Sequence, residues 1–243
     1  MISVGFKTDK GRMRNGNEDS LFVLPAQQLY IVADGVGGHN SGELASRMAV
    51  GYIAQYVALN PPEEVVDGKD LKEYFQKCFE GANELIYRKA CLENGHLGMA
   101  TTGVLCYLRD GWAFAVNVGD SRAYLIRDGV LRQIPEDHTC VRDLVKKGVI
   151  TEEEAKVHPD RNMITRAIGG EERIEPDFFR FRYYPGDVIL LCTDGLYGEI
   201  DDASFTRLAA STTSMHRLAK DLVEEANNNG GKDNISVICI KIQ

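Results

Sequence analysis

The chain has 243 residues, 44% hydrophobic and 26% charged, so it can bury a core as one large domain or two small ones. Its formal net charge of -8 argues against nucleic acid as a partner, because lysine and arginine hold phosphate backbones. The sequence shows neither a signal-peptide core at its amino terminus nor any apolar run near 18 residues, so no membrane partner is expected.

The six cysteines are scattered along the sequence, and none forms a C-x-x-C pair. Most lie within apolar runs, where cysteine behaves as a small buried hydrophobe. This usage disfavours both a disulfide framework and a zinc site, and it predicts a cytoplasmic protein in a reducing environment.

Helical periodicity predicts two long helices in the first half of the chain. Ser41 can cap the first, whose apolar positions recur from Ala45 to Val57. A second apolar face follows from Leu71 to Ile86. These two helices are close in sequence and are expected to pair.

The apolar period then changes to that of strands. Residues 102–134 predict four short strands, in which Asp110-Gly111 and Asp128-Gly129 fit tight hairpin turns. Two successive hairpins imply antiparallel pairing and not the strand–helix alternation of a parallel sheet.

Helices and strands are both predicted in the remainder. A short helix should end at Gly148, and Thr151 with Glu154 fits the capping box of the next. Further strands are predicted at 177–183, 187–193 and 235–242, and further helices at 202–210 and 215–228. The local patterns therefore indicate an α/β fold with antiparallel sheets and segregated helix pairs.

Acidic residues recur where apolar strands begin or end. They are Glu18 with Asp19, Asp34, Asp120, Asp194 and Asp233. Each could be a plain turn residue, since Asp-Gly is a common turn pair. Carboxylates that converge would repel one another, and a bound cation removes that conflict. An all-oxygen site suits magnesium or manganese, and two such ions could clamp a phosphoryl group.

Positive charge from the protein is also needed to hold a phosphate. Arg14 lies four residues before Glu18, near enough to reach the same pocket and bind phosphate in a bidentate manner. The alternative is an ordinary exposed surface arginine.

Seven motifs together resemble the metal-dependent type 2C (PPM) protein serine/threonine phosphatases, and most of all their compact bacterial branch. In chain order they are RNGNEDS, VADGVGGHNSGELAS, GMATTGV, VNVGDSRAYLIRDG, DHTCVRDLVKKGVITEEEAKVHPDRNMITRAIGG, LLCTDGLYGEI and GGKDNISVI. The resemblance implies a four-layer αββα sandwich of two antiparallel sheets flanked by helix pairs. It also implies a single domain over residues 1–243, with a mobile flap at about 138–170.

The resemblance further implies a centre with two manganese or magnesium ions. Asp34 would bridge both ions, and the carbonyl of Gly35 would join one of them. Asp194 and Asp233 would hold one ion, while Glu18 would support the other, partly through water.

Other positions have implied roles around that centre. Asp120, together with Asp194, would hold a weaker third ion, and Arg14 would grip the substrate phosphate. Many relatives outside the bacterial branch carry a histidine at the position of Val36, which cannot donate a proton. His39 could instead orient metal-bound water, or it could serve only to shape the start of the helix.

The implied reaction is hydrolysis of phosphoserine and phosphothreonine in proteins by a metal-bridging hydroxide, with no phosphoenzyme. A monomer would oppose a bacterial serine/threonine kinase, with that kinase among its substrates. Two alternatives stay open: a catalytically silent module that binds phosphoproteins, and a phosphatase of small phosphorylated metabolites.

Overall fold

The computed structural model describes residues 1–38, 41–62, 68–93 and 95–243. The strands are β1 Ile2–Asp9, β2 Asp19–Leu24, β3 Leu29–Val36, β4 Ala100–Thr101, β5 Gly103–Arg109, β6 Trp112–Val118, β7 Arg122–Arg127, β8 Val130–Gln133, β9 Asp177–Arg182, β10 Val188–Cys192 and β11 Ile235–Ile242. The helices are α1 Ser41–Leu59, α2 Gly68–Leu92, α3 Cys140–Lys146, α4 Glu152–Val157, α5 Asp194–Tyr197, α6 Asp202–Ser211 and α7 Met215–Asn228.

The strands form two antiparallel sheets. One has the order β1-β11-β10-β7-β8, and the other has the order β2-β3-β5-β6-β9, with β4 paired to the end of β3. The first and last strands of the chain lie side by side, with Ile2 opposite Ile242. The antiparallel sheets expected from the hairpin turns are confirmed.

Alternation along the central strands creates three apolar layers. In β3, Leu29, Ile31 and Ala33 pack with α1 and α2, whereas Tyr30 and Val32 face the other sheet. In the same way β10 and β11 send alternate side chains to α6 and α7 on the opposite outer face. Two sheets between two helix pairs make the predicted four-layer sandwich.

Both predicted hairpin turns have the backbone that the Asp-Gly pairs favour. Asp110 and Gly111 have φ of 51° and 77°, and Asp128 and Gly129 have φ of 52° and 76°. Positive φ at both central positions defines the tight turn that matches the twist of paired strands. These four residues therefore serve the fold and lie outside the acidic centre.

Two further local predictions have different outcomes. The capping box is confirmed: Thr151 Oγ1 accepts from the amide of Glu154 at 3.2 Å, and Glu154 Oε2 accepts from the amide of Thr151 at 2.7 Å. The predicted cap at Ser41 is not confirmed: α1 spans Ser41–Leu59, with Ser41 as its first described residue, and residues 39–40 lie outside the described ranges. The Ser41 hydroxyl lies 3.1 Å from His96 Nδ1 in the neighbouring loop.

Two strands differ from the expectation. β3 continues through Asp34, Gly35 and Val36, so this acidic position lies within a strand and not in the loop after it. β1 is a strand that the sequence pattern does not predict; Ile2 and Val4 alternate with polar or small residues and pack in the layer between the sheets, whereas Phe6, Lys7 and Thr8 are exposed. Among the described residues, no helix is both long and apolar enough to cross a membrane.

The approach of α7 to β1 depends on Gly5, and this gives a stability prediction. A Cβ at Gly5 would lie 2.1 Å from the carbonyl carbon of Met215. We expect Gly5→Ala to lower the free energy of unfolding by about 1–3 kcal/mol, because the helix must move away from the sheet. Urea unfolding measures the change.

Gly51→Ala is the matched control, because Gly51 lies exposed in α1 with open space around it. We expect this substitution to raise the free energy of unfolding by about 0.5–1 kcal/mol through helix propensity. Equal urea midpoints of unfolding for Gly5→Ala and Gly51→Ala would contradict the close approach of α7 to β1 at Gly5.

Candidate active site

The predicted acidic residues meet at one end of the sandwich, between the two sheets. Asp34 lies near the end of β3, Asp120 in the turn from β6 to β7, Asp194 at the start of α5, two residues after β10, and Asp233 shortly before β11. Antiparallel pairing brings these strand ends to one edge. Asp34 has its pKa raised well above the ordinary value, first by burial and then by neighbouring aspartates that include Asp194, Asp120 and Asp233.

Hydroxyl and amide groups hold the main chain of Asp34 on both sides. Its amide donates to Thr102 Oγ1 at 2.9 Å, and its carbonyl accepts from the Thr102 amide and the Thr101 hydroxyl, both at 2.8 Å. These bonds satisfy the backbone and leave the carboxylate to face the other acidic groups.

Asp19 joins the cluster, although the family resemblance implies no metal-ligand role for it. It lies directly opposite Asp34 in the β2–β3 register and is 7% exposed. Its Oδ2 accepts from the Thr193 hydroxyl at 2.9 Å, whereas Oδ1 has no hydrogen-bond partner among the described residues. Burial raises the pKa of Asp19 to about 7, despite hydrogen bonds from Ser236 and Thr193 that lower it.

Asp194 follows β10 and Asp233 precedes β11, and these two strands are neighbours in the other sheet. Burial, followed by the charge of Asp233, raises the pKa of Asp194. The buried Oδ1 of Asp194 has no hydrogen-bond partner within the described ranges. A Cβ at Gly195 would lie 2.0 Å from the Asn234 carbonyl, so this glycine lets the two acidic segments approach.

Glu18 and Gly35 border a space that Gly42 keeps open. A Cβ on Gly42 would lie 2.6 Å from Glu18 Oε2 and 2.8 Å from the Gly35 carbonyl oxygen. The main chain is tied as well, because the Gly35 amide donates to the Glu18 carbonyl at 3.2 Å. A carboxylate oxygen and a carbonyl oxygen therefore face one cradle that any other residue at position 42 would fill.

Asp120 lies at the side of the cluster and is 7% exposed. Burial, followed by the charges of Asp194 and Asp137, raises its pKa to about 7. The next residue, Ser121, shares a 2.7 Å hydroxyl contact with Thr102, the residue that also binds the Asp34 backbone. The turn is thus linked directly to the central aspartate.

Arg14 forms the outer rim of the site. Its Nη2 lies 2.7 Å from Asp233 Oδ2, and its side chain is 53% exposed. The hydrogen bond with Asp233 raises the pKa of Arg14, and the charges of Glu18 and Asp34 add to this. The guanidinium therefore belongs to the acidic centre and is more than an ordinary surface residue.

The donor chemistry fits divalent cations such as magnesium or manganese. Two buried carboxylate oxygens, on Asp19 and Asp194, lack partners in the described part of the chain, and the Gly42 cradle presents two oxygens. No three aspartate, glutamate, histidine or cysteine side chains in the described ranges could hold an ion by themselves. A site here would combine carboxylates with main-chain oxygens.

Residues 138–170, the predicted flap segment, are bound to the rest of the protein near both ends. The amide of His138 donates to the Gly119 carbonyl at 3.0 Å, and Ile168 pairs with Thr101, next to the residue that binds the Asp34 backbone. Within the segment, Thr139 pairs with Ile164. Of the other predicted positions, His39 lies outside the described residues, and Val36 is 43% exposed.

Comparison with known proteins gives the same picture as the geometry. The protein phosphatase 2C family profile matches residues 12–230. The serine/threonine phosphatase stp of Listeria innocua is 36% identical over 97% of this chain and 94% of its own length. The protein phosphatase PhpP of Streptococcus pneumoniae is 34% identical over 99% of this chain and 98% of its own.

One similar protein has a solved structure that contains metal ions. The catalytic domain of the serine/threonine protein phosphatase PstP, in complex with two manganese ions, has a TM-score of 0.85 and 32% sequence identity. The match covers 100% of this chain and 99% of the other. By sequence along nearly its full length, by fold and by its acidic centre, this chain belongs to the metal-dependent protein phosphatase 2C family.

Proposed function

We propose that this enzyme hydrolyses phosphoserine and phosphothreonine in proteins, with two divalent cations, manganese or magnesium, held in the acidic centre. The observation that carries the proposal is a group of buried and partly buried carboxylates whose pKa values are raised first by burial and then by neighbouring aspartates. Such a group resists ionisation unless cations neutralise it. Bound cations convert an acidic pocket into a site for an anionic substrate.

The ligands would divide between two ions. Asp34 would bridge both, Asp194 and Asp233 would hold one, and Glu18 with the Gly35 carbonyl would hold the other. When bound, the ions would supply a nucleophile from water at neutral pH and neutralise charge on the phosphoryl group. Binding at Asp233 would compete with Arg14, which lies 2.7 Å from that carboxylate.

The remaining steps belong to the protein's own side chains. Arg14, released from Asp233, would bind two phosphate oxygens and orient the phosphoryl group for in-line attack. Val36 lies beside the site with 43% of its surface exposed and cannot protonate the leaving group. We assign a weaker third ion to Asp120 and Asp194, because after burial the charge of Asp194 raises the pKa of Asp120 most.

The substrates we propose are phosphorylated proteins of the cytoplasm, including a serine/threonine kinase that this enzyme opposes as a monomer. The names of the relatives from Listeria innocua and Streptococcus pneumoniae support the protein substrate. The kinase, the cytoplasmic location and the monomeric state rest on family resemblance.

One assay tests the proposal directly. A phosphothreonine peptide, an aryl phosphate and a small phosphorylated metabolite are each incubated with manganese, magnesium or excess chelator. We expect the peptide to be hydrolysed with manganese and none of the three with chelator. Binding of the peptide without turnover would favour a silent module, and preference for the metabolite would favour a small-molecule phosphatase.

The central aspartates give the first mutational prediction. Asp34→Asn or Asp194→Asn should lower peptide turnover more than about 100-fold, which exceeds the usual cost of altering a ligand's outer partners. The fold should stay intact by circular dichroism, because each change removes one charge from a repelling cluster. Asp128→Asn is the control, since Asp128 occupies a hairpin turn that asparagine also tolerates; full activity in Asp34→Asn would reject the two-ion site.

Arg14 gives a separate prediction about substrate binding. Arg14→Ala should raise the KM for the phosphothreonine peptide by about 10- to 100-fold, the worth of charge-assisted hydrogen bonds to phosphate, and leave measurable turnover. Steady-state kinetics at saturating manganese measure it. Arg88→Ala, which removes only a surface ion pair with Glu84, is the control; a KM equal to that of the parent would exclude the phosphate grip.

The raised pKa values predict a link between pH, metal and stability. Asp19 and Asp120 have pKa values of about 7 in the folded protein, against about 4 when unfolded. The folded metal-free protein therefore binds more protons between about pH 4 and 7, and its stability from these groups falls as pH rises through that window. Ions compete with these protons, so manganese should stabilise more at high pH.

Urea unfolding with manganese or with chelator, at pH 5.5 and pH 8, measures this link. The stabilisation by manganese should be at least about 1.4 kcal/mol larger at pH 8, equivalent to one pKa unit. Because the manganese and chelator samples are compared at the same pH, the contribution of ionisable groups outside the acidic centre to the free energy of unfolding cancels. An equal stabilisation by manganese at both pH values would show that protons and ions do not compete for these carboxylates.

A further inference from the structure

Arg122 and Asp137 form an ion pair near the start of the flap segment, and several hydrogen bonds hold both side chains. Arg122 Nε donates to Asp137 Oδ1 at 2.9 Å, and Arg122 Nη2 donates to Asp137 Oδ2 at 2.6 Å. Gln133 Nε2 donates to the same carboxylate at 2.8 Å, and Arg122 Nη1 donates to the Tyr124 hydroxyl at 2.8 Å. With 23% and 15% of their side chains exposed, Arg122 and Asp137 are held in one fixed arrangement.

The guanidinium of Arg122 in turn holds an aromatic ring. Its central carbon lies 3.5 Å from the centroid of Tyr197, which is close cation–π contact. Tyr197 is the last residue of α5, three positions after Asp194, and its hydroxyl donates to the carbonyl of Asp120 at 3.0 Å. The Asp137–Arg122 ion pair is therefore connected to the acidic centre through the side chain of Tyr197.

The turn that contains Asp120 is held at other points as well. The amide of Gly119 donates to His138 Nδ1 at 3.1 Å, and the amide of His138 donates to the Gly119 carbonyl at 3.0 Å. Ser121 is bound through Thr102. The described bonds to Gly119 and Ser121 flank Asp120, whereas Tyr197 binds the carbonyl of Asp120 itself.

We propose that Tyr197, oriented by the Asp137–Arg122 ion pair, is a positioning residue that fixes the Asp120 carboxylate toward Asp194 and so sets the affinity of the weaker divalent-cation site. Fixing the carbonyl of a residue restricts its backbone torsions, and these set the direction of its side chain. The proposal rests on the proposed metal-dependent function, because the affected property is cation binding.

Tyr197→Phe tests this role with the loss of a single oxygen atom. Replacing Arg122 would leave Asp137 buried without its partner and could unfold the protein, so it is the poorer choice. Tyr124→Phe is the matched control, because its hydroxyl also binds Arg122 but has no bond to Asp120. Both variants keep a ring in place and lose one hydrogen bond to the same network.

The first measurement is amide hydrogen exchange of residues 117–121 in the metal-free proteins. Tyr197→Phe should exchange about 2- to 10-fold faster in this turn, the effect of one hydrogen bond, and Tyr124→Phe should match the parent. The second is calorimetric titration with manganese. The weakest site of Tyr197→Phe should bind about tenfold less tightly, with the tighter sites within twofold of the parent.

Two results would overturn the positioning role. One is parental hydrogen exchange in Tyr197→Phe, whatever its manganese affinity, and the other is an equal change in Tyr124→Phe, which would indicate general loosening. Because the exchange measurement needs no ion, it separates the two proposals. A parent protein that binds no manganese would refute the proposed function, whereas unchanged exchange in Tyr197→Phe would refute the role of Tyr197.

Discussion

The repulsion among buried carboxylates is the interaction on which the rest of this structure depends. Asp19 and Asp120 are buried, Asp34 and Asp194 are partly buried, and the pKa of each is raised first by burial and then by the charges of neighbouring aspartates. Such a cluster destabilises a metal-free fold at neutral pH unless protons, a nearby guanidinium or cations balance it. Arg14 supplies part of that balance at the rim, and divalent cations are the partners that would complete it.

The surrounding protein holds these carboxylates in place without neutralising them. The threonines at positions 101, 102 and 193 use hydroxyl groups to bind the backbone of Asp34 or the side chain of Asp19. Hydroxyls are uncharged, so they orient an acidic group at little cost to its charge. Glycines at positions 35, 42 and 195 let the backbones approach to distances that any Cβ would prevent. Orientation and closeness come from neutral groups, and the charge stays available for cations.

An arrangement in which the carboxylates keep their charge explains how an acidic site can belong to a phosphatase. An anionic substrate would be repelled by the bare cluster and attracted once cations bind it. Family membership by sequence and fold agrees with this requirement. The Asp137–Arg122 pair and Tyr197 extend the supporting frame to the start of the flap segment, where charge is again satisfied inside the protein.

The sequence by itself determined most of the features that depend on residues close together along the chain. Helical periods, the capping box at Thr151 and the positive-φ turns at Asp110 and Asp128 are local, so their patterns are legible in the sequence. Acidic residues at strand ends were equally visible, and together with the ordered motifs they identified the centre. Even so, the exact end of β3 was missed, because strand pairing carries it through Asp34 and Gly35.

Tertiary structure alone decided what depends on partners far apart in the chain. Asp19 resembles an ordinary start of a strand until register places it opposite Asp34, and its hydroxyl donor, Thr193, lies 174 residues away. In the sequence, Gly42 is an ordinary helix residue and Tyr197 an ordinary packing residue. The fold places the Glu18 carboxylate beside Gly42 and the Asp120 carbonyl beside the Tyr197 hydroxyl. Such contacts follow from how sheets pair and pack, and no local spacing in the sequence encodes that pairing.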